Sequence, residues 1–228
     1  MHTDTWIIVP MYNEQKVIAA VLNELLAKFR NVVAVDDGSQ DSTYKTACST
    51  KASVVRHPVN LGQGAAIQTG IEYALEDKKA KYFITFDSDG QHQLKDAEKM
   101  LAILKTGKFD IVLGSRFLGK SNLPLKKKLF LQTAIHSRNL FSKIKLTDIH
   151  NGLRVFNRGV AEKLNISMAG MAHASEIIDR IGQYDFRYTE VPVIIKYTSY
   201  SKAKGQSMFN SVNILFDLTA HKYSKKRR

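Results

Sequence analysis

The sequence predicts an α/β fold: a mostly parallel, doubly wound, Rossmann-like sheet with helices on both faces. Three observations predict it. Short apolar runs alternate with segments of helical period throughout residues 1–118. Polar clusters fall where those runs end, at Pro10–Glu14, Asp36–Ser39, Asp87–His92 and Gly114–Arg116. Hydrophobic residues make up 44% of the 228, enough to furnish a sizeable core. Strands that alternate with helices pair in parallel, and such a sheet gathers ligands beyond the carboxyl ends of its strands.

The elements follow in order. Thr5–Val9 reads as a buried strand stopped by Pro10, and Glu14–Phe29 as a helix with apolar residues at Val17, Ile18, Val21, Leu22, Leu25 and Leu26. Val32–Val35 is a second strand, ending in Asp36-Asp37-Gly38-Ser39. Asp41 or Ser42 can cap a short helix to about Cys48. Ser53–Arg56 is a weaker strand, and a helix follows Gly62-Gln63-Gly64 to about Glu76. Tyr82–Phe86, Leu94–Lys105 and Asp110–Leu113 continue as strand, helix and strand. Beyond Phe117 the rhythm loosens, with a basic connection, a helix over Leu129–Lys143 and a turn-rich Thr147–Arg154. Ala174–Ile181 reads as a helix, Glu190–Tyr197 as a strand whose Pro192 favours an edge, and Ser207–His221 as an amphipathic helix before a basic tail. The expected organisation is one domain over 1–206, split into a 1–118 half and a 119–206 half, followed by segment 207–228.

Charge separates the halves. Residues 1–118 hold 14 basic and 14 acidic side chains, so the whole formal excess of +13 falls on 119–228, with 20 basic against 7 acidic. A basic second half points to an anionic partner: nucleic acid, anionic lipid or a phosphorylated substrate. The single cysteine, Cys48, excludes an intramolecular disulfide and suits a reducing compartment. No secretory signal and no run of roughly 20 apolar residues is present.

The stretch Tyr82–His92 carries the sharpest chemistry. An apolar run ends in Asp87 and Asp89, followed by Gly90, Gln91 and His92. Two carboxylates this close repel unless a cation offsets them, and an acid-x-acid pair at a strand end can share a hard divalent ion and, through it, a diphosphate. A solvated turn is the competing reading of the pair alone.

Six stretches, VPMYNE (9–14), VDDGSQDST (35–43), NLGQGAAIQTG (60–70), FDSDGQH (86–92), GSRF (114–117) and TDIHNGLRVF (147–156), together resemble the inverting family 2 glycosyltransferases of the GT-A fold. More narrowly, they are similar to the dolichyl-phosphate mannose synthase and polyprenyl-phosphate glycosyltransferase branch. The resemblance covers about residues 5–200. It implies a nucleotide-sugar donor, a divalent metal (Mg²⁺ or Mn²⁺), and transfer to a lipid phosphate on the cytoplasmic face of a membrane.

Carried over residue by residue, the resemblance implies that Pro10, Tyr12, Asn13 and Glu14 line the nucleotide pocket. Glu14 would face base or ribose hydroxyls, though a first-turn acid is also favoured by a helix dipole. Asp36 and Asp37 would meet base or ribose, and both also suit a β-turn. Gly64, in the Gly62-x-Gly64 loop, would allow close approach of the donor, with Gln63 standing where many relatives carry lysine. Asp89 and Gln91 would hold the metal, with Asp87 and Ser88 nearer the ribose or sugar. Arg116 offers a planar fork for phosphate. Asp148 would act as general base or position the acceptor, and Arg154 would meet the acceptor phosphate. Glu176 is placed equally well as a cap or a substrate contact. Lys202 and Lys204 stand in a segment that relatives fill with arginine, and would also meet the acceptor phosphate.

The expected activity is therefore metal-dependent, inverting transfer of a hexose or N-acetylhexosamine from a UDP- or GDP-sugar to polyprenyl phosphate. The alternative is the same fold serving a soluble or lipid-linked glycan acceptor in cell-surface polysaccharide synthesis. A nucleotidyltransferase would use the same metal logic but release pyrophosphate. No nucleic-acid motif is present, and acidic strand ends oppose a polyanion, so nucleic acid is set aside as partner. The apolar face and basic tail of 207–228 fit either a membrane surface or the domain's own core. Because the chain stops at Arg228, the expectation is a peripheral enzyme that binds the surface reversibly or relies on a separate membrane protein.

Overall fold

The computed structural model describes residues 1–118, 144–168, 170 and 172–196. In chain order these form β1 (His2–Met11), α1 (Ile18–Leu26), β2 (Phe29–Asp36), α2 (Thr43–Cys48), β3 (Ser53–Arg56), α3 (Gln63–Leu75), β4 (Tyr82–Thr85), α4 (Leu94–Leu104), β5 (Ile111–Ser115), β6 (Arg154–Asn157), α5 (Arg158–Leu164), α6 (Ala172–Gln183) and β7 (Tyr188–Pro192). The strands make one sheet in the order β3-β2-β1-β4-β6-β5-β7. All pairings are parallel except those of β6, which runs antiparallel to β4 and β5. This is the mostly parallel α/β sheet expected.

Successive side chains of a strand point to opposite faces. Ile8 packs on one side with Ile67 and Ile71 of α3 and with Ile177 and Ile181 of α6. Ile7 and Val9 pack on the other with Leu22 and Leu25 of α1 and with Met100 and Leu104 of α4. Both faces are covered, which is why β1 and β2 read as continuous apolar runs rather than alternating ones.

Four boundaries depart from the sequence reading. Pro10 does not stop β1. The Ile8 carbonyl accepts from Phe86 N–H while the Met11 carbonyl accepts from Asp37 N–H, so position 10 turns its missing N–H toward β4, whose pairing with β1 has already ended at Thr85. The first helix is shorter than expected, because residues 15–17 form turns on the Glu14 carbonyl and Phe29 already belongs to β2. Strand β6 and helix α5 follow the polar turn-rich segment, over residues to which the sequence reading gave no element. The last strand ends at Pro192, on the sheet edge, as its proline favoured. The helices expected over Leu129–Lys143 and Ser207–His221 lie outside the described residues.

The antiparallel insertion of β6 matters for the site. Its first residue, Arg154, arrives at the same edge where β1, β2, β4 and β5 end. The ends therefore stand side by side as Asp37 after β2, Pro10–Glu14 on β1, Asp87–Asp89 after β4, Gly152–Arg154 entering β6, and Arg116 after β5.

Candidate active site

The wall at the β1 and β2 ends is built by mutual bracing. Asn13 takes a left-handed backbone (φ 54°), donates its N–H to Ser39 Oγ at 2.9 Å and accepts from Gln40 N–H on its side-chain oxygen at 2.9 Å. Glu14 donates its N–H to Thr43 Oγ1 at 2.6 Å. Asp37 accepts from Leu61 N–H (2.9 Å), Gly62 N–H (2.8 Å) and His57 Nδ1 (2.8 Å), so its carboxylate shapes the loop that leads into α3. Asp36 is fully buried and pairs by charge with Arg56 Nε at 3.1 Å, without a hydrogen bond to either oxygen.

The turn after β4 holds the acids. Asp87 accepts from Gln63 Nε2 at 3.1 Å and from His92 Nε2 at 2.9 Å, with 31% of its side chain still open. Burial opposes its charge, but the His92 hydrogen bond and the nearby Arg154 hold its pKa below the usual carboxylate range. Asp89 accepts from Gln91 N–H (3.0 Å) and from Gln91 Nε2 (2.7 Å) across a turn that needs the positive φ of Gly90 (74°). Burial, then repulsion by Asp87, pushes Asp89 up to about 6. A Cβ at Gly152 would overlap the Asp87 carboxylate, so only glycine admits that close approach.

At the far end, Arg154 is 3% exposed and its Nη1 has no hydrogen-bond partner. Two neutral rings flank it. Burial lowers His150 and His173 to about 4, and the Arg154 charge adds to the effect in both. Arg116 lies against Asp148 through Nε (2.7 Å), Nη2 (2.7 Å) and its backbone N–H (3.0 Å). Glu190 on β7 accepts from the backbone N–H groups of Thr147 and Asp148 and so fixes that turn. Glu176 accepts from Ser167 and Met168 and caps the loop before α6.

Part of this set surrounds one cleft of about 410 Å³, within the range of small-molecule sites. Among the residues singled out in the sequence, Pro10, Tyr12, Glu14 and Asp37 line it at the β1 and β2 ends, and Asp87, Ser88, Asp89 and Arg154 line it at β4 and β6. Asn13, Asp36, Gly64, Gln91, Arg116 and Asp148 do not line it. Asn13 braces the wall, Gln91 bonds to Asp89, and the space beside Gly64 is filled by Met168 and His173. Lys202 and Lys204 lie outside the described residues. Sequence reading missed His150 and His173 in the lining. His150 was hidden in a polar turn, and a single histidine entering an apolar helix gives no signal.

Residues 6–164 match the family described as Glycosyl transferase family 2, about two thirds of the chain and the part that builds the acidic edge. The chain belongs to glycosyltransferase family 2. The enzyme is 30% identical to the UDP-N-acetylglucosamine–dolichyl-phosphate N-acetylglucosaminyltransferase of Methanococcus voltae, over 96% of each chain. It is 30% identical to the dolichol-phosphate mannosyltransferase of Pyrococcus furiosus, over 93% of this chain and 62% of that one. Its fold resembles glucosyl-3-phosphoglycerate synthase of Mycobacterium tuberculosis, solved with Mn²⁺, uridine diphosphate and phosphoglyceric acid, with a TM-score of 0.64 at 15% identity, covering 96% and 78% of the chains. The glycosyltransferase thus has the GT-A fold that its motifs implied.

The donor chemistry of the acidic turn fits a hard divalent cation. Asp89 and the Gln91 amide are oxygen donors, and the lifted pKa of Asp89 marks a charge with too little compensation. Among the described residues no cluster of three or more His, Cys, Asp or Glu could cage an ion. An open site completed by water and substrate phosphate is what Mg²⁺ or Mn²⁺ accepts.

Proposed function

We propose that this glycosyltransferase moves a hexose or N-acetylhexosamine from a nucleoside-diphosphate donor to polyprenyl phosphate, with inversion and with Mg²⁺ or Mn²⁺. The observation that carries the reading is Asp89, a mostly buried carboxylate lifted to about 6 at the centre of the cleft, with Gln91 beside it. The names of two relatives supply the lipid phosphate class.

Pro10, Tyr12, Glu14 and Asp37 form the nucleoside wall, with Asn13 and Asp36 supporting it. Asp87 and Ser88 face the ribose or sugar, and Asp89 with Gln91 holds the cation. A cation held by Asp89 and Gln91 would supply charge compensation for the departing nucleoside diphosphate. A phosphate oxygen of the acceptor bonds to the anomeric carbon from the opposite side, and the electron pair of the old glycosidic bond leaves with the diphosphate. The acceptor phosphomonoester has a second pKa of about 6, so it reaches the site largely as a nucleophilic dianion. No strong base is then required, which agrees with Asp148 being engaged by Arg116. Arg154 at the cleft floor, with Lys202, Lys204 and the basic 119–228 half, would draw in the acceptor phosphate at a membrane surface. Among the described residues no helix is long and apolar enough to cross a membrane.

The test is transfer of radiolabelled sugar from a panel of UDP- and GDP-sugars to polyprenyl phosphate with Mn²⁺. Label extracted into organic solvent, lost in Asp89→Ala, is the expected outcome. Label that remains in the aqueous phase on a soluble glycan would overturn the acceptor assignment.

A further inference from the structure

We propose that His173 is a specificity-determining residue whose Nε2 accepts a hydrogen bond from a hydroxyl or acetamido N–H of the transferred sugar. This rests on the cleft being the donor site.

His173 is the second residue of α6, is 2% exposed, and lines the cleft together with Gly170. Its Nδ1 lies 2.5 Å from the Gly170 carbonyl oxygen. A carbonyl can only accept, so the proton sits on Nδ1 and the neutral ring keeps a bare lone pair on Nε2. Burial and Arg154 keep the ring uncharged at neutral pH. A lone pair repels phosphate oxygens, which are also acceptors, and attracts a donor group.

The ring stands where the sugar is expected. A Cβ at Gly64 would overlap the Met168 carbonyl and crowd His173 Cβ, so the bare first turn of α3 is what lets Met168 and His173 press in. Gln63, next to it, bonds Asp87. Along the sheet edge Asp87 and Arg154 stand at β4 and β6, beyond the β1 and β2 ends that carry Pro10–Glu14 and Asp37, and both act electrostatically on the His173 ring. A nucleotide sugar laid along that line brings its hydroxyls, not its phosphates, to His173. Asp87 accepts from one side and Nε2 from the other.

The experiment is calorimetric titration of the full chain with UDP, GDP, UDP-glucose, UDP-N-acetylglucosamine and GDP-mannose in Mn²⁺. For the sugar nucleotide that the wild type binds, His173→Phe should weaken affinity about tenfold, the loss of one buried hydrogen bond. The matching free diphosphate should bind unchanged, which also shows that the variant is folded. His173→Gln, which returns an acceptor, should recover much of the loss. Equal weakening of sugar nucleotide and free diphosphate, or no weakening of either, overturns the assignment while leaving the donor site standing. A wild type that binds none of the five removes the donor site and this assignment with it.

Discussion

Arg116 clasps Asp148 with both arms of its guanidinium, Nε at 2.7 Å from Oδ2 and Nη2 at 2.7 Å from Oδ1. The Arg116 backbone N–H adds a third contact to Oδ2 at 3.0 Å. Glu190 fixes the backbone of the Asp148 turn from a different strand. A carboxylate that receives this many donors is held in one orientation, with both oxygens already engaged. Asp148 and Arg116 thereby fix each other's orientation.

Asp148→Asn keeps one oxygen for Arg116 and should lower kcat/KM by less than about 100-fold, with the shape of the pH–rate profile intact. General bases contribute roughly 10²- to 10⁴-fold. A larger loss together with a displaced acid limb would restore Asp148 to base catalysis.

Asp89 should trade stability for function. Its pKa of about 6 in the fold, against 3.8 ordinarily, means that ionising it at neutral pH costs folding free energy. In EDTA at pH 7.5, Asp89→Asn should therefore be more stable than wild type by about 2 kcal/mol, or roughly 5 °C in Tm. With Mn²⁺ the wild type should rise and the variant should not. Thermal melts with and without the ion check both signs, and a Tm gain from Mn²⁺ in the variant would contradict the metal assignment.

The sequence showed most of the parallel half because each strand there is an apolar run ended by a polar cluster. It did not show β6, four residues long, whose Val155 and Phe156 are too few to outweigh the polar residues before them. Nor could it separate residues that touch the cleft from those that brace it. Asn13 and Asp89 both sit in polar strand-end clusters. Only the left-handed backbone of Asn13 and its bonds to Ser39 and Gln40 assign it to the scaffold. His173 was illegible because its partners, Gly64 and Gly170, act through the absence of side chains and through a carbonyl.

Two glycines separate crowding from ordinary contact. Gly152→Ala would drive a methyl into the Asp87 carboxylate, whereas the same change at Gly159 meets only Asn157 Oδ1 at 3.5 Å. Gly152→Ala should cost about 100-fold in activity, by displacing an acid at the cleft centre. Gly159→Ala, inside α5, should leave activity unchanged and add about 0.5 kcal/mol of stability. Assays and denaturant melts of the two variants decide it. Full activity in Gly152→Ala would mean that Asp87 need not stay where it is.

The two neutral rings make the fold sensitive to acid. His150 and His173 ionise near about 4 in the fold against 6.5 in the unfolded chain. Below 6.5 the unfolded chain takes up protons that the fold refuses, so their contribution is full above that pH and is lost as pH falls toward 4. The loss approaches an order of 3 kcal/mol per ring. Asp89 works the other way over the same window, because the fold holds its proton up to about 6. Asp89→Asn is therefore the background in which to read the histidines. In that background, unfolding free energy from urea melts should drop between pH 7.5 and 4.5, and adding His173→Phe should remove about half of the drop. An unchanged slope after His173→Phe would mean that the ring ionises at the same pH in the folded and unfolded chain, so that burial leaves it near its ordinary value.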